Sequence, residues 1–553
     1  MSRWLLARSS AICRAVAYLA AVLVAAPLVY HLSRGSLAYL GLLQDDYFYY
    51  AITADKFVTL GRLTYDGTTL TNGFHPLWFL VVVLIRLVSG SLNGAFYVIL
   101  AAVFVGSMVV TYELSHAFAR SLGASAALAP AVALAHAVPT DIVSCCGMET
   151  AVDIPFLLWL LLEVVETKVV TSRRAARLGL IASLAVLARL DLGLLVVLLV
   201  LGWLAAARPR PSVALRLGAA FGAGGLLVPV YVLFNVIVFG SPLPVSGLAK
   251  QLVKRPGFNV GYLRGIAFHS IFGPATGITL VLGAVTVWAF ARRQAQRATA
   301  DGEGGATGPS LPPAALLAAV TLLGFTGTFF FANALTGWVF FYWYAYPLGP
   351  ALVAALTVIG VWGVPRIPVL WRERASAVFV AAATVVAFGE GCRYFVTHGL
   401  LWTVDDNGLL AMSVELAERL HDRKGVFAMG AVGGFATYLL REPVVQIEGL
   451  MSDRAMIRHV GNEDDLGPVL QQYGVDYLIV SLHRAKFEQH DGCYVITQPN
   501  AEWAGARTAK MHGELCAQPI VSFATRVPHR EWSEFSSLDT AVFDLRGASW
   551  RAR

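Results

Sequence analysis

For most of its length the chain alternates long apolar runs with short polar segments, and near residue 400 that rhythm stops. Apolar runs occupy 15–32, 94–117, 124–140, 154–166, 178–188, 192–206, 217–238, 270–291, 314–333, 347–363 and 375–395. A helix needs roughly 20 apolar residues to cross a bilayer core, so these runs predict about eleven transmembrane helices, some of them short. The first run has a basic start like a signal peptide but lacks a small-x-small cleavage site, and it reads as a retained span.

One further run, Leu77–Val88, decides the topology, because counting it as a crossing reverses the side of every later loop. Treated as re-entrant or interfacial, it puts Arg120, Lys168/Arg173/Arg174/Arg177, Arg208/Arg210/Arg216, Arg292/Arg293/Arg297 and Arg366/Arg372/Arg374 on the side of Arg3, Arg8 and Arg14. Basic loops stay in the cytoplasm, which selects this reading. From 398 onward, short apolar runs such as 475–481 sit beside amphipathic stretches such as 412–420 and predict a soluble α/β domain. The expected fold is therefore an α-helical polytopic membrane protein over 1–397, with a first outer loop at 33–93, followed by an outward-facing soluble α/β domain over 398–553.

Composition supports the class. Hydrophobic residues make up 57% of the chain and charged residues 14%, against roughly 25% charged in soluble domains. The net charge of +7 resides in short clusters between apolar runs, so it reports topology and no nucleic-acid partner is expected. Of the six cysteines only Cys493 and Cys516 share the soluble region, where a disulfide and two free thiols are both open.

Chemistry concentrates in the outer loops. Asp45 and Asp46 stand at the mouth of the first span, followed by Tyr47-Phe48-Tyr49-Tyr50 and a loop running Thr71-Asn72-Gly73-Phe74-His75-Pro76-Leu77-Trp78. Carboxylates at a membrane boundary are expensive to desolvate and are kept for work. Two so close do not both ionise readily in a partly dry cleft, which gives them separate roles, and position favours Asp45 as a base. Glu149 lies in the second outer loop, either as a further functional acid or as a helix N-terminal charge. Lys250, Lys254 and Arg255 share one outer loop and offer donors to a phosphate, or anchors to anionic lipid. His75 suits binding a phosphate or bracing the acid pair, and Trp78, Tyr342, Trp343 and Tyr344 suit sugar stacking, prenyl contact or an interfacial aromatic belt.

The ordered set Asp45-Asp46-Tyr47-Phe48-Tyr49-Tyr50, Asp66-Gly67, Thr71 to Trp78 and Gly147-Met148-Glu149-Thr150 resembles the GT-C glycosyltransferases, in particular a bacterial branch that uses polyprenyl-phosphate sugars. Looser landmarks follow at 239–244 with Lys250, at 342–347 and at 441–450, so the likeness covers nearly the whole chain. One departure is Gln446-Ile447-Glu448, where the family pattern is Asn-Leu-Asp. The resemblance implies an inverting transferase in the bacterial cytoplasmic membrane, with its site facing the periplasm or exterior. Its catalytic acids would be Asp45, Asp46 and Glu149, and Asn72, His75, Trp78, Lys250 and Tyr344 would contact substrate. Its partners would be a polyprenyl-phosphate-linked sugar donor, a glycan, lipid or protein acceptor, and membrane lipids.

Terminal arabinofuranosyltransferases of mycobacterial cell walls are also similar, which keeps a pentose open beside a hexose. A proton-coupled transporter or flippase of lipid-linked glycan is the competing class, although its acids belong near mid-membrane rather than in loops. A protein that binds lipid-linked glycan without reacting is a third. No cofactor is expected: the chain has no metal-ligand spacing and no Walker-type loop, and the one arrangement left open is a divalent cation shared by Asp45, Asp46 and Glu149.

Overall fold

A computed structural model describes the chain except residues 1, 168–169, 253–256, 263–265, 267–272, 301–312, 336–340, 431–432, 484–486, 499–508, 527–536 and 552–553. Among the described residues, five helices are long and apolar enough to cross a membrane: Leu6–Ser33, Gly94–Ser121, Pro313–Ala334, Tyr342–Arg366 and Trp371–Leu400. The pair Pro211–Gly224 and Leu227–Phe239 is apolar enough only when taken together, and it is bent by 57° at the break, as in a broken span or a re-entrant loop. From Gly273 onward the run at 270–291 lies within the helix Gly273–Ala300, and the run at 124–140 breaks into Ala129–Leu134 and Ala137–Ser144. The bundle is tied by Ser2–Ser33 packing along Val369–Phe395 and Gly94–Ser121. Small residues permit the closest approaches: a Cβ on Gly179 would collide with the Phe221 carbonyl, and one on Gly224 with that of Ala176.

The ambiguous run becomes the 14-residue helix Pro76–Ser89. At 1.5 Å per residue it spans roughly 21 Å, short of a hydrocarbon core of about 30 Å. Arg86 ties it to Asp55 of the preceding helix at 2.6 Å, and Phe79 lies edge-on to Phe57. Its outer ridge of Leu80, Leu84, Leu87 and Val88 is exposed at helical spacing, which suits a helix lying along an apolar interface.

After the last bundle helix the chain passes through Val396–Leu400 into a domain with two sheets. One has the strand order β2-β1-β3-β8-β7, built from β1 (Phe427–Met429), β2 (Val444–Gln446), β3 (Tyr477–His483), β7 (Val521–Arg526) and β8 (Ser537–Asp544). The three strands β2, β1 and β3 are parallel, joined through the helices Gly433–Leu440, Arg454–Asn462 and Leu466–Gln472, and β8 and β7 add antiparallel. The second sheet runs β4 (Gln489–His490), β5 (Cys493–Gln498), β6 (Met511–Cys516), β9 (Ser549–Arg551). Cys493 and Cys516 form a disulfide between β5 and β6.

This domain sits directly on the first outer loop. The Gly433–Leu440 helix packs on Asp45–Leu60, and Tyr65 donates its hydroxyl hydrogen bond to Gly433 O and Thr437 Oγ1 at 3.0 and 2.6 Å. Two glycines are demanded by the contact. A Cβ on Gly434 would strike the backbone oxygen of Asp45, and a Cβ on Gly73 would strike the carbonyl of Leu450. The first outer loop and the sheet domain therefore share one face of the bundle.

Candidate active site

Asp45 and Asp46 open the outer-loop helix Asp45–Leu60, with Gln44 as its N-cap. Gln44 is fixed from two sides: its backbone N–H donates to Cys146 O at 2.9 Å, and its side-chain amide donates to the Tyr342 hydroxyl at 2.7 Å. Adjacent helix residues point about 100° apart, so the two acids face different surroundings.

Asp45 faces the sheet domain. Its Oδ2 accepts from the backbone N–H of Gly434 at 3.0 Å, and its Oδ1 from that of Phe435 at 2.7 Å. It is thus the cap of the Gly433–Leu440 helix, reaching across from another part of the chain, and both oxygens are engaged. This alters the expectation that Asp45 is the base. Burial pushes its carboxyl up to about 7, the two N–H donors pulling the other way.

Asp46 turns instead toward the charges of Lys250 and Glu149. It is half-buried, and among the described residues its side chain makes no hydrogen bond. Burial pushes it up to about 6, with the Lys250 ammonium opposing and Glu149 adding to the rise. Lys250 follows the short helix Val245–Ala249 and lies 5.3 Å from the centre of the Tyr344 ring. Burial works against its charge, but Tyr344 and Asp46 outweigh it and hold the ammonium protonated. Lys254 and Arg255 lie outside the described residues.

Glu149 belongs to a buried network that shares the influence of Lys250 with Asp46. Its Oε1 receives Arg189 Nη1 and lies 3.6 Å from His75 Nε2, while Oε2 accepts from Tyr50 at 3.1 Å. Burial raises its carboxyl, but His75, Arg189 and Lys250 together hold it below the usual range. Arg189 also pairs with Asp191 at 3.1 Å and stacks 4.4 Å from the Tyr346 ring centre, and Tyr346 donates to Asp191 at 3.1 Å. Arg189 and Asp191 lie between the apolar runs 178–188 and 192–206 and carry no motif. The signal was there, since an arginine beside an aspartate between two apolar runs is costly without a buried partner.

Three residues expected to contact substrate have other duties. Trp78 is fully buried and donates Nε1 to Gly147 O at 2.8 Å, so its ring is not open to a sugar. Asn72 is spent on both ends: its amide nitrogen donates to Asn235 and its oxygen accepts from Val245 N at 2.9 Å, which fixes the start of the helix leading to Lys250. His75 braces Glu149 rather than the aspartates. Its Nδ1 accepts from Leu190 N at 3.4 Å, and burial lowers its proton affinity while the Glu149 carboxylate opposes that change. Tyr344 remains at the cleft beside Lys250.

The sheet domain closes the cleft with 446–450. Gln446 Nε2 donates to Glu448 Oε2, and its Oε1 accepts from Leu450 N, both at 2.9 Å. Among the described residues no group of three His, Cys, Asp or Glu side chains converges as a metal-ligand set. Asp45 accepts from Gly434 and Phe435, and Glu149 from Arg189 and Tyr50. What the site can do is take a proton at Asp46 and stabilise a nearby anion at Lys250.

No protein-family model matches the chain, and no curated protein matches it. Among solved structures it is similar to ArnT from Cupriavidus metallidurans in the apo state, at 14% identity and a TM-score of 0.48, covering 79% of this chain and 88% of that one. It is similar to the same protein bound to undecaprenyl phosphate at 13% identity and a TM-score of 0.47, covering 95% and 98%. A third similarity is to the arabinofuranosyltransferase AftD from Mycobacteria, at 14% identity and a TM-score of 0.48, covering 99% of this chain but only 40% of that one. At such identities and scores these are likenesses in the course of the chain, and the functional reading rests on the site.

Proposed function

We propose that this protein is an inverting membrane glycosyltransferase that moves a sugar from a polyprenyl-phosphate carrier to an acceptor hydroxyl, with Asp46 as the general base. The observation that carries the reading is the contrast between the two acids: Asp45 has both oxygens committed to backbone N–H groups, whereas Asp46 meets the cleft beside Lys250. The ordered motifs that resemble the GT-C enzymes give the class of donor.

In the reaction the acceptor oxygen attacks the anomeric carbon as its proton passes to Asp46, and the bond from that carbon to the phosphate oxygen breaks with its electron pair on the phosphate. An alcohol is a poor nucleophile until deprotonation begins, hence the base. Lys250 meets the charge that develops on the departing phosphate. A single displacement inverts the anomeric centre and needs no covalent intermediate. Arg189 and Glu149, with His75 and Tyr50, hold the wall behind this pair and act as positioning residues. Tyr344 offers a ring face to the donor.

The cleft opens away from the cytoplasm in this reading. The basic clusters support that orientation, as does the Cys493–Cys516 disulfide in a domain on the same face, since disulfides persist in oxidising compartments. The test is a mass spectrum of envelope glycans from cells that carry the gene, lack it, or carry Asp46→Asn. The reading expects one sugar addition to vanish on deletion and to stay absent with Asp46→Asn. An identical glycan profile in all three strains refutes it.

A further inference from the structure

The segment Glu448-Gly449-Leu450 is wedged between two outer loops. Gly73 of the first loop meets the Leu450 carbonyl and the Met451 sulfur so closely that any Cβ there would collide. On the other side, the Cβ position of Gly449 lies 3.9 Å from Ala249 Cβ, and Ala249 directly precedes Lys250. Gly449 has φ +87°, a left-handed conformation that glycine adopts without strain, so the chain turns sharply after Glu448. The Glu448 carboxyl is buried and pinned at Oε2 by Gln446, which is itself held by the backbone of the following turn. This is a built position for a carboxyl group, packed between segments about 200 and 400 positions earlier in the chain.

We propose that Glu448 is an acceptor-binding residue, so that the C-terminal domain completes the site and, with Asp46, grips a neutral, hydroxyl-rich acceptor: one carboxyl accepts from a sugar hydroxyl and the other donates to one. The inference rests on the transferase reading above.

The groups acting on Glu448 are Asp45, Asp46 and Tyr49 from the outer-loop helix, Lys250 from the loop after Val245–Ala249, and Gln446 on its own segment. Two carboxylates in one partly dry cleft resist ionising together, and the pair titrates in two steps. Burial first, then Asp46, pushes Glu448 up to about 8, whereas Asp46 stands nearer to Lys250 and rises only to about 6. Near neutral pH the three carboxyls Asp45, Asp46 and Glu448 share protons, with Glu448 pushed up furthest and Asp46 least, because Lys250 opposes the rise at Asp46. That leaves Asp46 free to take the acceptor proton while Glu448 donates a hydrogen bond to a second hydroxyl. An anionic acceptor such as a lipid phosphate is disfavoured by the charge on Asp46, whereas a diol offers both a donor and an acceptor to the pair.

The test uses the purified full chain in nanodiscs. Infrared difference spectra without substrate, taken across pH 6 to 9, should show wild type losing a protonated-carboxyl band around pH 8, and Glu448→Gln lacking that loss. Asp46→Asn should move the loss to lower pH. With a synthetic polyprenyl-phosphate-linked sugar as donor and methyl glycosides as acceptor probes, wild type should lose activity on both sides of a window from about 6 to about 8. Glu448→Gln, which mimics the neutral acid, should keep the acid limb and lose the alkaline one. Glu448→Ala should raise the acceptor KM about threefold to tenfold with the donor KM unchanged, the effect of one lost hydrogen bond. A loss around pH 8 that persists in Glu448→Gln overturns the inference whether or not transfer is detected, the loss near pH 7 belonging to Asp45. So does an alkaline limb that survives that substitution. Absence of transfer by wild type, with the infrared result as expected, counts against the transferase reading and not against the proton on Glu448.

Discussion

Replacing Asp45 by Asn tests the separation of the two acids. The carboxylate accepts from two buried backbone donors, Gly434 N at 3.0 Å and Phe435 N at 2.7 Å. An amide has one accepting oxygen, so Asp45→Asn keeps one bond and turns an N–H₂ group toward the second donor. Leaving one buried N–H unpaired costs about 1–3 kcal/mol, which is roughly a 5- to 150-fold change in the equilibrium between docked and open states. Hydrogen exchange reads this locally: amides from Gly434 to Leu440 should exchange faster by that factor, while the transmembrane helices keep their protection.

A pH series adds a second readout. The docked value for Asp45, about 7, lies above the ordinary 3.8, so its contribution to docking is full below about 4 and is lost as pH rises through about 7. Asp45→Asn should remove that dependence. Turnover should fall only as far as the domain loosens, and substrate affinity should fall with it. Unchanged exchange together with a kcat loss of a hundredfold or more would refute the reasoning and return the base to Asp45.

Gly73→Ala forces a methyl group into the Leu450 carbonyl and should lower the melting temperature and detach the sheet domain from the outer loop, seen as new protease cleavage between 440 and 455. Lys250→Met removes one charge-assisted contact to the donor phosphate, worth about 1.5–3 kcal/mol, and should weaken binding of a polyprenyl phosphate by about tenfold or more; unchanged binding reassigns Lys250 to lipid anchoring. Fusions of a fluorescent protein that matures only in the cytoplasm should be dark after Gln472 and bright after Gly302, and the reverse pattern would make 77–88 a full crossing.

Much of this was legible in the sequence because hydrophobic length and basic loops are local signals. The break at 124–140 was not: its apolar run is continuous, and the division into two short helices depends on packing around it. The same limit applies within the site. The Asp45-Asp46 pair is conspicuous in the sequence, but which acid is free is decided by Gly434 and Phe435, nearly 400 positions later. Trp78 and Asn72 look like ligand contacts because aromatic and amide side chains serve both recognition and structure. Only the partners, Gly147 for one and Asn235 with Val245 for the other, separate those uses. Arg189 shows the converse: a residue without a motif becomes central once Glu149, Asp191 and Tyr346 close around it.

The central claim is that Asp46 takes the acceptor proton. The direct measurement is turnover by purified Asp46→Asn with a polyprenyl-phosphate-linked sugar, alongside donor affinity measured on the same preparation. Positioned bases contribute about 10²- to 10⁴-fold, so kcat should drop by at least a hundredfold while the donor still binds and hydrogen exchange at Gly434 and Phe435 stays at the wild-type level. Wild-type turnover by Asp46→Asn would contradict the account.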